Sequence, residues 1–224
     1  MINDILYPNK CMFCGEPLDV NIPFCKNCFE RVKSLSDNRC NRCGREVENC
    51  FCKVGDFAFS RNISCFYYSG PVRTMVSRFK YHNLFQLSAS ISKYMIQEID
   101  DKYSDFTADF ITFVPMHFAK LVVRGYNPAK LIAQRISNSI SVPIEDVLTS
   151  KFTFKSQKHL SREQRRKNVK GKFRVKKRDI EGKNVLLIDD VMTTGSTLSE
   201  CALMLKRAGA KEVRTATFAI TLKK

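Results

Sequence analysis

At 224 residues the chain has room for one compact domain with an appendage, or for two small domains, and enough length to bury a core. Apolar residues form 44% and charged residues 27% of it, which excludes wholesale disorder, collagen and coiled coil. Its aliphatic runs, such as Val185-Leu186-Leu187-Ile188, are far short of the ~20 residues of a membrane-spanning helix, and the net charge of +16 suits a phosphate-bearing partner, nucleic acid or small substrate.

In chain order, residues 1–10 carry no apolar stretch of secretory type and are interrupted by Asp4, so a cytoplasmic location without membrane insertion is expected. Eight of the ten cysteines then fall in four close pairs: Cys11-x2-Cys14, Cys25-x2-Cys28, Cys40-x2-Cys43 and Cys50-x-Cys52. In a reducing compartment such pairs point to thiolate metal sites before disulfides. Four thiolates close a tetrahedral Zn2+ site with no position open for chemistry, and so short a segment needs that metal to fold. Eight ligands make two sites. The sequential partition (Cys11, Cys14, Cys25, Cys28, then Cys40, Cys43, Cys50, Cys52) gives two stacked ribbons and is favoured, while an interleaved one gives a cross-braced module. Cys50-x-Cys52 is one residue short of the usual knuckle, so one or two structural zinc sites are expected, the second being the open one. The compositional break divides the chain into a cysteine-rich unit at 1–58 and a second domain at 59–224.

Beyond it, strand and helix patterns alternate. Residues 64–68 read as a strand, and 72–94 as one helix with its stripe at Val72, Met75, Val76, Phe79, Leu84, Leu87 and Ile91. Residues 110–114 are an apolar strand stopped by Pro115, and 127–139 an amphipathic helix with Pro128 in its first turn. The aliphatic run 185–188 is a strand covered on both faces, 196–208 a helix with Leu198, Cys201, Ala202, Leu205 and Ala208 on one stripe, and 213–221 a closing strand. The fold class is therefore α/β: an open, mainly parallel sheet with helices on both faces, binding ligands beyond the carboxyl ends of its strands.

The most informative segment follows the run 185–188. Two carboxylates, Asp189 and Asp190, precede a turn of small hydroxyl residues, Thr193, Thr194, Gly195, Ser196 and Thr197, that opens a helix. Backbone amides at such a turn converge on an anion, hydroxyls add donors without bulk, and Gly195 lets the backbone approach closely. A phosphomonoester fits. Carboxylates beside a phosphate need another partner, either the vicinal hydroxyls of a ribose or Mg2+.

These thirteen residues, 185–197, resemble the PRPP-binding signature of type I phosphoribosyltransferases. With Phe79-Lys80-Tyr81, Val114-Pro115-Met116 through Arg124-Gly125-Tyr126-Asn127, and Gln157-x2-Leu160-x4-Arg165-x2-Asn168-Val169-x-Gly171-x-Phe173, nearly the whole chain resembles the ComF family of competence-associated proteins, in which a zinc module precedes a phosphoribosyltransferase fold. The resemblance implies that residues 193–197 hold the 5-phosphate of PRPP and that Asp189 and Asp190 hold the ribose hydroxyls. It implies that the loop 115–124, with Pro115, Met116, His117 and Arg124, meets pyrophosphate, with Lys80 and Arg165 as further cations and Mg2+ bound with the PRPP. It also implies natural transformation as the setting, with other competence proteins such as a helicase as partners. The chemistry would be substitution at the anomeric carbon, and no residue marks an acceptor. The alternative is a single-stranded DNA-binding factor whose PRPP pocket is a sensor or vestige without turnover.

Between positions 151 and 178 thirteen basic residues face one acid, Glu163, which accounts for +12 of the +16. Such a run is either a solvated face or a hood tracking a nucleic-acid backbone. Phe152, Phe154, His159 and Phe173 would stack on single-stranded bases or equally serve as core.

Overall fold

A four-stranded sheet organises the chain. In this computed structural model, which describes residues 10–18, 23–50, 52, 57–150, 169–176 and 179–222, it comprises β1 (Arg61–Tyr67), β2 (Phe110–Phe113), β5 (Asn184–Met192) and β6 (Glu212–Ile220). The order is β1-β6-β5-β2 and every pairing is parallel, as the alternation of strands with helices predicts. The crossovers are α2 (Gly70–Tyr81), α3 (Leu87–Lys102), α5 (Pro128–Ile140) and α6 (Ser196–Arg207). Short pieces complete the described fold: α1 (Lys26–Arg31), α4 (Phe118–Arg124) and an antiparallel pair, β3 (Leu148–Ser150) with β4 (Phe173–Val175).

Successive residues of a strand face opposite sides, and β5 shows what that requires of the sequence. Leu186 and Ile188 enter one core with Met75, Phe79, Ile91, Ile132 and Ile136 of α2, α3 and α5. Val185 and Leu187 enter the other with Leu198, Cys201, Ala202 and Leu205 of α6. A strand between two cores has no polar face, hence the unbroken aliphatic run.

The cysteine unit packs against both cores at the β1 edge. Cys11, Met12, Phe13 and Cys28 join the first core, Leu35 and Cys43 the second. Its backbone also covers the outer edge of β1: Tyr67 N–H donates to Lys33 C=O (3.0 Å) and Asn62 N–H to Arg42 C=O (2.9 Å). At the opposite edge, Ile111 N–H donates to Pro143 C=O and Glu145 N–H to Ile111 C=O, so neither outer strand is left open for pairing with another chain.

Three expectations change, and one open alternative is decided. The stretch 72–94 is two helices, because Asn83, at the i+4 position after Phe79 where the stripe needs an apolar residue, takes a left-handed φ of 53° that Asn tolerates. The strand expected at 185–188 runs on through both aspartates to Met192, because β6 supplies partners out to Met192–Ile220. Residues 118–124 form a helix where a loop was expected, capped by His117, whose Nδ1 accepts from Ala119 N–H, and stopped by left-handed Gly125. Of the aromatics left open between stacking and core, Phe173, 7% exposed, is core, whereas Phe152, Phe154, His159 and Arg165 lie outside the described residues.

Candidate functional site

Parallel pairing decides which loops meet. Val114 N–H donates to Ile188 C=O (3.0 Å), which sets Pro115 and the segment after β2 beside Asp189 at the carboxyl edge of the sheet. The last turn of α2 reaches the same edge: Lys80 Nζ lies 2.8 Å from Asp190 Oδ2. The two motifs that flank this point also join each other. Tyr126 O–H donates to Phe79 C=O, and the Arg124 guanidinium lies 5.0 Å from the centre of the Tyr81 ring. Asn127 locks the arrangement, its Nδ2 donating to Val114 C=O (3.0 Å) and its Oδ1 accepting from Ala129 N–H (3.0 Å) to cap α5.

Asp189 and Asp190 are adjacent in a strand, so their side chains leave opposite faces of the sheet. Asp190, 5% exposed, turns to the α2 side and meets Lys80. Burial of Lys80 opposes its charge, yet the Asp190 carboxylate outweighs that effect and raises the ammonium above its ordinary value. Asp189 Oδ1 accepts from Asp190 N–H (2.9 Å), and burial, reinforced by the Asp190 charge, pushes the Asp189 carboxyl up to about 7.

A carboxyl whose pKa rises on folding takes up a proton as the chain folds. Its stabilisation is complete below the unfolded value, 3.8, and is lost as pH rises through about 7. Asp189→Asn removes that loss, so in magnesium-free buffer its stability advantage over wild type should grow between pH 5 and pH 8 by on the order of 2 kcal/mol. Parallel melting curves for the two proteins across that range would show that the carboxyl titrates normally.

The turn after β5 is built as an anion cradle. The amides of Thr194, Gly195 and Thr197 have no hydrogen-bond partner among the described residues, and the Thr194 and Ser196 hydroxyls contact each other at 2.8 Å. Gly195 is left-handed (φ 77°), which favours glycine, and a Cβ there would also come within 2.7 Å of Phe57 Cε1 and 2.6 Å of the Met192 methyl, so both side chains would have to shift. Pro115 and Met116 line a separate cleft of about 400 Å³ with Leu121, Tyr126, Lys130 and Leu148; residues 193–197 are not part of its wall.

The cysteines gather as Cys11, Cys14, Cys25, Cys28 and as Cys40, Cys43, Cys50, Cys52, the sequential partition, with the short Cys50-x-Cys52 spacing included. Tetrahedral Zn–S bonds of ~2.3 Å put sulfurs about 3.8 Å apart. Cys14–Cys25 is 3.8 Å, Cys43–Cys50 3.6 Å, Cys40–Cys52 3.5 Å and Cys50–Cys52 3.3 Å, close to that figure and well beyond a disulfide bond. The donor sets fit two structural zinc ions.

Two residues of the site carry signals of unequal strength in the sequence. Asn127 stands directly before a proline that opens an amphipathic helix, a recognisable cap position. Arg45, whose guanidinium reaches the turn from the cysteine unit, has none, since only tertiary folding brings positions 45 and 193 together.

The phosphoribosyl transferase domain matches residues 86–224 and the double zinc ribbon domain residues 2–58. Competence protein F of Haemophilus influenzae is 28% identical over 92% of this chain and 94% of its own length. DNA utilization protein YhgH of Salmonella typhimurium is 26% identical over 92% and 95%. Competence protein ComFC of Streptococcus pneumoniae is 24% identical over 92% and 97%.

Proposed function

We propose, because this chain belongs to the phosphoribosyl transferase domain family, that it binds PRPP with Mg2+ at the carboxyl edge of the sheet and acts in DNA uptake during natural transformation. The observation that carries the ligand reading is the turn whose amides at Thr194, Gly195 and Thr197 have no partner among the described residues, two residues after a pair of acids. The setting is supported by relatives named competence protein and DNA utilization protein along nearly their full length.

In this reading Thr193, Thr194, Gly195, Ser196 and Thr197 hold the 5-phosphate, and Asp189 and Asp190 receive the ribose hydroxyls. Pro115, Met116, His117 and Arg124 flank the pyrophosphate, and Lys80 and Arg165 add positive charge. Bound Mg2+ would supply charge neutralisation for the departing pyrophosphate. The protein's part is to fix the sugar and its two charged ends in one geometry. Lys80, neutralised by Asp190 in the free protein, becomes available to the leaving group if the ribose hydroxyls take over the carboxylate. The proposed units are 1–58 and 59–224, the first a structural double zinc ribbon and the second this transferase-like domain.

PRPP with Mg2+ is expected to raise the melting temperature, and Asp190→Ala to abolish the shift; titration calorimetry without heat for the wild type would reject the pocket. Pyrophosphate release from labelled PRPP, in the presence of bases, ammonia and oligonucleotides, identifies a transferase. Binding without release identifies the sensor. A second reading, compatible with the first, rests on the +12 run at 151–178: single-stranded DNA binding that falls steeply with salt. Fluorescence anisotropy insensitive to salt would remove it.

A further inference from the structure

The second cysteine site and the phosphate turn share one buried side chain. Arg45 stands between Cys43 and Cys50 and is 8% exposed. Its main chain belongs to the cysteine knuckle: Cys40 N–H donates to Arg45 C=O (2.7 Å) and Gly44 N–H to Cys40 C=O (2.9 Å). Its guanidinium belongs to the turn, with Nη2 donating to Thr193 C=O (2.5 Å) and Nε to Thr221 C=O (3.1 Å). Thr221 Oγ1 donates to the same Thr193 carbonyl at 3.1 Å.

A trans peptide points its carbonyl and the following N–H in opposite directions. Two donors on Thr193 C=O therefore turn the Thr194 N–H, one of the unpartnered amides, away from the cysteine unit. The chain leaving that unit braces the turn a second time. Phe57 packs where a Cβ on Gly195 would sit, and Ala58 N–H donates to Ser199 Oγ (3.1 Å) in the first turn of α6.

We infer that Arg45 is a positioning residue that couples metal occupancy at Cys40, Cys43, Cys50 and Cys52 to the anion affinity of residues 193–197. The knuckle closed by zinc fixes the Arg45 backbone, Arg45 fixes the Thr193 carbonyl, and the carbonyl fixes the amide that meets phosphate. Coupling of this kind is reciprocal: if zinc tightens the turn, ligand at the turn retains zinc by the same factor. The inference rests on the PRPP reading for its ligand, but the mechanical link does not.

The test compares full-length, zinc-loaded wild type with Arg45→Met, which keeps the length and loses every donor, and with Thr221→Val, a milder loss of the second donor on the same carbonyl. Amide hydrogen exchange without ligand reads the link alone. Faster exchange at the hydrogen-bonded amides that frame the turn, Ser196, Ser199 and Thr221, at unchanged zinc content, is expected in both variants, more in Arg45→Met. PRPP affinity should fall about tenfold in Arg45→Met, the loss associated with a charged donor, with partial recovery in Arg45→Lys. In wild type, PRPP should slow chelator capture of one of the two zinc equivalents several-fold, and in Arg45→Met that protection should vanish.

Wild-type exchange rates at Ser196, Ser199 and Thr221 in both variants would overturn the inference, as would undiminished PRPP protection of zinc in Arg45→Met. If Arg45→Met does not fold, Thr221→Val and Arg45→Lys carry the same comparisons. Faster exchange in the variants together with a wild type that binds no PRPP would leave the link standing and remove the ligand reading instead.

Discussion

Lys80→Met is expected to destabilise the protein by about 3 kcal/mol and to eliminate PRPP binding. The lysine and Asp190 are 2.8 Å apart with side chains 22% and 8% exposed, so removing the cation leaves a carboxylate without its partner in the less hydrated position. Breaking such a pair costs about 3–5 kcal/mol, and the partial exposure of Lys80 places this one at the low end. In a chain of this length that lowers Tm by roughly 6–12 °C. The double variant Lys80→Met/Asp190→Leu separates the two consequences. With neither charge present the stability should largely return, because the cost was that of an unpaired carboxylate and not of a lost attraction, while PRPP binding stays absent. Single and double variants equally unstable by denaturant unfolding would show that Lys80 contributes through its packing alone.

The sequence was most legible where one local pattern had a single physical solution. The run 185–188 could only be a strand between two apolar layers, and Leu186 and Val185 do face different cores. The cysteine spacing favoured the sequential grouping without settling it and left the second site open at the short Cys50-x-Cys52 step; the fold gathers four sulfurs in each group. Legibility failed where a distant strand or helix supplied the deciding contact. The extension of β5 to Met192 depends on β6, which arrives some twenty residues later, and the pairing of β3 with β4 joins the residues just before the basic run to a strand near its end. The aspartates looked like one two-pronged group in the sequence. Strand alternation sends one to Lys80 and leaves the other with a carboxyl pushed up to about 7, so their surroundings differ.

Cys43→Ser is expected to reduce the zinc content from two equivalents to one and to lower Tm by more than any other single change discussed. Cys43 has no exposure to solvent and sits in the second core, so the lost ligand leaves a buried hydroxyl and an unclosed knuckle together. Structural zinc sites contribute on the order of 10 kcal/mol to the folding of small modules. Even half of that is about 5 kcal/mol, or roughly 10–20 °C here. The damage would not stay local. Residues 33 and 42 cover the outer edge of β1 with backbone hydrogen bonds, and once the cysteine unit loosens, that edge is open to another chain. A rise in light scattering at temperatures where the wild type is stable should therefore accompany the fall in Tm. Cys201→Ala is the control: this cysteine is equally buried, on the α6 stripe, but lies in neither sulfur group. It should cost packing energy alone and keep both metals. Elemental analysis giving two zinc ions in Cys43→Ser, or the same zinc loss in Cys201→Ala, would refute the assignment of ligands.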